Sequence, residues 1–163
     1  MNAVQEFVSG RLPRVSALML AAFSIAIAHA AEPASTPIEF HAKQNGPPGM
    51  TLPFSESVRV GTMLYLSGEV GIDASGKLVA GGVKAEAKQV MDNIGADLAR
   101  QGSSFDRVVQ CTVALADIAD WPAFNEVYRG YFKEHFPARM AFAANALALG
   151  ARVEVQCNAV AGK

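Results

Sequence analysis

With 163 residues, 51% of them hydrophobic, and a formal net charge of −1 at pH 7, the chain holds one ordinary globular domain beyond its first thirty residues. The 14 Lys and Arg are balanced by 15 Asp and Glu and form no cationic stripe, which argues against nucleic acid as a partner. His29, His41 and His135 share no ligand spacing with one another or with the two cysteines, so no metal site is expected.

Residues 1–30 read as a secretory signal: Arg11 and Arg14 precede an apolar core over residues 15–28, and Ala28-His29-Ala30 stands before Ala31. The uncharged run is shorter than the roughly twenty residues that span a bilayer, so we expect cleavage, a periplasmic location and no stable membrane insertion afterwards. Residues 31–52 are rich in Pro, Gly, Ala and Ser and carry no sustained period, which predicts an extended lead-in to a folded domain over residues 53–163.

Two short strands, 57–60 and 63–69, flank the two-residue turn Gly61-Thr62, and a third is predicted over 77–79 after a turn at 73–76. Val83, Ala87, Val90, Ile94 and Leu98 recur at helical spacing and predict an amphipathic helix over 83–100, closed by Gly102. Val109, Cys111, Val113 and Leu115 alternate with more polar neighbours as a half-buried strand. A second helix follows, with Asp120 as its N-cap, Pro122 in its first turn and Trp121, Phe124, Tyr128 and Tyr131 as its apolar stripe. Beyond Pro137, strands are expected near 140–147 and 152–160. Cys111 and Cys157 are able to bridge in an oxidising compartment, but each sits among valines in a strand pattern, which suits small buried thiols.

This order predicts an α+β domain with both helices on one face of a single mixed sheet. In the last strand Val153, Val155 and Cys157 form the apolar side, so a period of two aims Glu154, Gln156 and Asn158 at the opposite face. Thr112 joins them there, and Tyr65, Ser67 and Glu69 are expected to do the same. A mixed face of this kind suits a subunit contact, and closed symmetry makes a ring the economical arrangement.

Arg139 and, fifteen positions on, Glu154 are where chemistry is expected. A guanidinium offers a planar fork that matches a carboxylate two bonds at a time, and a glutamate can hold and polarise a water. Together they describe a pocket for a small acid attacked by water.

The segments PFSESVRVGTMLYLSGEVGID, NEVYRGYF, PARMA and GARVEVQCNAVA, in this order and spacing, resemble the reactive intermediate deaminase A family, also called the YjgF/YER057c/UK114 family. The resemblance covers the body from about Pro53 to Ala161. It implies a chorismate-mutase-like fold, a homotrimer whose sheets form a central barrel, and clefts between subunits. It further implies hydrolysis of reactive enamine and imine acids such as 2-aminoacrylate to 2-keto acids and ammonia, with no cofactor. By the same resemblance Arg139 grips the substrate carboxylate, Glu154 positions the attacking water, Asn125 lines the cleft, and Ala141 offers its backbone N–H to the carboxylate. Phe54 stands where many relatives have tyrosine, which keeps an aromatic wall but removes a phenol. Glu56 and Glu69 replace glutamines, adding negative charge near a site meant for anions, and Leu147-Ala148 replaces a Leu-Pro.

Two other readings compete. Phe54 and the exported location suit a non-catalytic protein that binds small carboxylates, whereas an endoribonuclease lacks support from a basic groove or a histidine pair.

Overall fold

The apolar spacing that predicts the first helix is realised in α1, Gly82–Arg100, which buries Val83, Ala87, Val90, Met91, Ile94 and Leu98. These side chains meet the inner face of a sheet in a computed structural model that describes residues 35–43 and 52–162. The expected signal at 1–30 lies outside the described residues, as do residues 44–51 of the lead-in.

The strands are β1 (Ile38–Ala42), β2 (Ser55–Val60), β3 (Met63–Leu66), β4 (Glu69–Val70), β5 (Val108–Leu115), β6 (Ala138–Ala143) and β7 (Val153–Val160). They lie in the order β1-β2-β3-β7-β5-β6, with β4 paired to β7. Only β5 and β6 run parallel and the other pairs are antiparallel, which makes the sheet mixed as expected. The second helix, α2 (Trp121–Tyr128), turns into a short 3-10 segment at Arg129–Tyr131 and packs beside α1 on the same face. Leu64, Leu66, Val113, Leu115, Val153 and Val155 project from the sheet into this shared core. Among the described residues no helix is long and apolar enough to cross a membrane, and no group of three or more His, Cys, Asp or Glu could hold a metal ion.

Several expectations are corrected. The ordered domain begins before residue 53, because Ile38–Ala42 of the lead-in pairs with β2 along the sheet edge. The short strand expected at 77–79 is only an isolated bridge between Ile72 and Leu78. Asp120 precedes α2 without capping it, since its carboxylate instead accepts from Arg152 Nε and Nη2 at 2.9 and 2.6 Å.

Cys111 and Cys157 are direct cross-strand partners in the β5–β7 pair, fully buried and bonded as a disulfide, not left as thiols. Their Cα atoms are 4.1 Å apart. The chain between them has a sequence separation of 46, so closing this loop restricts the unfolded chain by about 4 kcal/mol on the chain-entropy estimate.

Candidate functional site

Register decides which residues can meet. Arg139 lies beside Cys111 in the parallel β5–β6 pair, so it shares the side of the sheet that carries the disulfide and the helices. There its guanidinium stands 4.7 Å from the ring centre of Tyr128, 5.3 Å from Trp121 and 5.9 Å from Phe124, all on α2. Cation–π attraction to three faces fixes where the charge sits without supplying an acceptor for its N–H groups. Arg139 donates no hydrogen bond and makes no ion pair among the described residues. A partly buried fork in this state keeps its N–H donors open to an anionic acceptor.

The guanidinium opens into a cleft of ≈ 550 Å³ lined by Trp121, Asn125, Tyr128, Arg129, Phe136, Pro137 and Arg139. Two arginines and no acidic side chain make it a cationic cleft with aromatic walls. Burial pushes the Tyr128 phenol up to about 12, with Arg139 pulling weakly the other way, so the ring carries no negative charge near neutrality. Asn125 lines the cleft where the sequence places it, one α2 turn before Arg129. Ala141, two residues beyond Arg139 on the same side of β6, packs against the core instead of lining the cleft. Because β6 is the last strand of the sheet, part of its backbone has no neighbouring strand to bond, which leaves N–H groups of this edge available.

Glu154 lies elsewhere. It pairs with Ala114, which pairs on its other side with Phe142, so these three share the face turned away from the helices. Arg139 is three residues from Phe142 and two strand spacings from β7, which puts its Cα about 14 Å from that of Glu154, on the opposite side of the sheet. Within the chain the two groups therefore do not converge. The Glu154 carboxylate rests against Gly68, where a Cβ would collide with Oε1, and no described residue donates to it. Sequence reasoning missed this role of Gly68; its only signal was a glycine interrupting the alternation between β3 and β4. Phe54 is 48% exposed just before β2 and does not line this cleft.

The open face bearing Glu154 is organised. Gln110 donates to Thr112 at 3.2 Å, Asn158 to Gln110 at 2.8 Å, and Gln156 to Asn158 at 2.6 Å and to the Leu66 carbonyl at 3.0 Å. Beside this ladder stand exposed Phe40, Tyr65, Met140 and Phe142. Tyr65 thus joins the face as expected, but Glu69 does not. The break at Ser67-Gly68 shifts the alternation, so Glu69 pairs with core residue Val155 and is buried on the helix side, ion-paired to Lys43. Glu56 is buried as well and accepts from Arg100 Nε and Nη2 at 3.0 and 2.8 Å. Neither glutamate lines the Arg139 cleft, contrary to the expected added charge there.

Comparison with known proteins identifies the family to which this fold belongs. The family profile described as Endoribonuclease L-PSP matches residues 46–161. The human protein named 2-iminobutanoate/2-iminopropanoate deaminase is 47% identical over 116 residues, covering 71% of this chain and 85% of the relative. The goat protein of the same name is 50% identical over 111 residues, covering 68% and 81%. Among solved structures, yeast YEO7 superimposes with a TM-score of 0.71 at 35% identity, covering 76% of this chain and 98% of the other. The YjgF gene product of E. coli gives 0.68 at 29%, covering 75% and 98%. The chain is therefore a member of the Endoribonuclease L-PSP family, the reactive intermediate deaminase A or YjgF/YER057c/UK114 family.

Proposed function

We propose that the protein is a hydrolytic deaminase of reactive enamine and imine acids, releasing 2-keto acids and ammonia, and that its site is completed between subunits of a homotrimer. The observation that carries this reading is Arg139, a guanidinium held on three aromatic faces in an open cleft with no acceptor among the described residues. The names of the human and goat relatives point to the same chemistry.

The mechanism asks little of the protein. An imine carbon is already electrophilic, so binding need only orient the acid and bring a water to attack distance. Arg139 takes the carboxylate in two parallel hydrogen bonds, and an N–H at the β6 edge, that of Ala141, adds a third. Water adds to the imine carbon as a carboxylate accepts its proton and returns it to the nitrogen, and the resulting carbinolamine passes its hydroxyl proton to the amine and expels ammonia to leave the keto acid. General-base assistance of this kind contributes about 10²–10⁴-fold.

Glu154 is the acceptor for that water, and it comes from the neighbouring protomer. The separation of Arg139 and Glu154 across the sheet supports this, because no small acid reaches both within one chain. The exposed aromatic and aliphatic side chains around a self-satisfied polar ladder support burial of the open face in a closed ring, and the exposed Phe54 then walls the neighbour's cleft. The buried Cys111–Cys157 disulfide supports export into an oxidising compartment, the periplasm.

A mixing experiment tests both parts. Wild type accelerates ammonia release from 2-aminoacrylate generated in situ, whereas Arg139→Ala and Glu154→Gln each lose at least about 100-fold. When the two inactive variants are unfolded together in equal amounts and refolded, about a quarter of the clefts of randomly assembled rings regain an intact arginine and an intact glutamate. Recovery near that fraction is expected. Recovery of none, with both variants folded and trimeric, contradicts the shared site, and no wild-type activity above buffer contradicts the hydrolase.

A further inference from the structure

A cleft built for a three- or four-carbon imino acid has no need of a second cation, yet this one has Arg129. Its Nε donates to the Asn125 carbonyl at 3.2 Å, which folds the side chain back along the end of α2. Both Nη groups remain without an acceptor among the described residues, although Arg129 lines the same cleft as Arg139. The nearest acid in sequence, Glu126, is engaged by Lys84 at 2.5 Å. Hydrogen bonding to that lysine is also the main cause that holds the Glu126 carboxyl below its usual range, ahead of any effect of Arg129. Within the chain, two arginines thus line one cleft that no acidic side chain lines.

In the single chain, before any neighbour closes it, the open cleft of ≈ 550 Å³ has room for more than a three-carbon acid. Apart from Asn125, the other lining residues are Trp121, Tyr128, Phe136 and Pro137, surfaces suited to a short methylene spacer and not to further charge.

We propose that Arg129 is a second anion-reading residue and that the cleft prefers imino acids bearing a distal carboxylate on their side chain, the class produced by oxidation of acidic amino acids. This rests on the hydrolase reading for the role of Arg139 but adds a selectivity that reading does not contain. Arg139 anchors the carboxylate next to the imine, and Arg129 receives the one at the far end. An arginine at a helix C-terminus also complements the last carbonyls and the helix dipole. That structural role changes stability and leaves the choice of ligand untouched, so selectivity separates the two.

The experiment compares 2-ketoglutarate and 2-ketobutyrate as product probes by calorimetry on the assembled wild type and on Arg129→Gln. In parallel it follows ammonia release from the corresponding imines. Wild type is expected to bind 2-ketoglutarate at least about tenfold more tightly than 2-ketobutyrate. In Arg129→Gln that preference vanishes while 2-ketobutyrate binding stays within about twofold of wild type. Equal affinities in wild type, or a variant that weakens both probes alike or only lowers Tm, overturn the proposal. If neither imine is turned over but the preference and its loss are seen, the hydrolase reading fails and the second anchor stands. If the monocarboxylate imine is hydrolysed with no preference between probes, the reverse holds.

Discussion

Arg139 and Arg100 are the same residue type placed in opposite electrostatic settings, one short of acids and the other crowded by them. Around Arg139 the neighbours are rings, and the described residues provide no carboxylate. Around Arg100 lie Glu56 and Asp97, with Glu69 and Lys43 adjoining, and all three acidic residues are buried. The arginine whose demand is met inside the chain ties α1 to the sheet. The arginine whose demand is unmet is the one we propose as the ligand receptor. Counting charged residues in the sequence cannot separate these uses; the partners do.

The contrast is broken most directly by removing each arginine and measuring stability in urea. Arg100→Ala strands two buried carboxyls and is expected to cost about 3–5 kcal/mol. Arg139→Ala removes no internal ion pair and costs about 1 kcal/mol, mainly through the lost ring contacts. Equal losses at the two sites would show that Arg139 is a structural residue.

A smaller effect sharpens the acid-rich side. Asp97 is pushed up to about 7, first by burial, then by the charges of Glu69 and Glu56, with Arg100 and Lys43 opposing; its Oδ2 is buried with no partner. Between the ordinary carboxyl value of 3.8 and about 7 the folded protein keeps a proton that the unfolded chain has released. Its contribution is therefore full below the lower value and is lost as pH rises through the upper one. Wild-type Tm should fall by a few degrees between about pH 5 and 8 relative to Asp97→Asn, which has no proton to lose there. Parallel curves for the two proteins would remove Asp97 from the account.

Much of the fold was legible because periodicity reports burial. The helical spacing of Val83, Ala87, Val90, Ile94 and Leu98 and the alternation in 153–160 both survive in the structure within a residue or two. What escaped depended on partners distant in sequence. Ile38–Ala42 is too brief an alternation among Pro, Ala and Ser to announce a strand, and β2 supplies the pairing that makes it one. Valine neighbours suit a buried thiol and a buried disulfide equally, and only the β5–β7 register sets Cys111 opposite Cys157. The site was legible in its members more than in its layout. Arg139 and Asn125 line the cleft as expected, but the placement of Glu154 on the far side of the sheet follows from the strand order β7-β5-β6, which no local pattern encodes.

Calorimetric titration of 2-ketobutyrate into wild type, Arg139→Lys and Arg100→Lys tests the central claim, that the uncompensated guanidinium is the carboxylate receptor. Binding by wild type and Arg100→Lys is expected to be alike. Arg139→Lys keeps the charge but not the planar fork, and its affinity should fall at least about tenfold. Wild-type affinity in Arg139→Lys and in Arg139→Ala would contradict the claim.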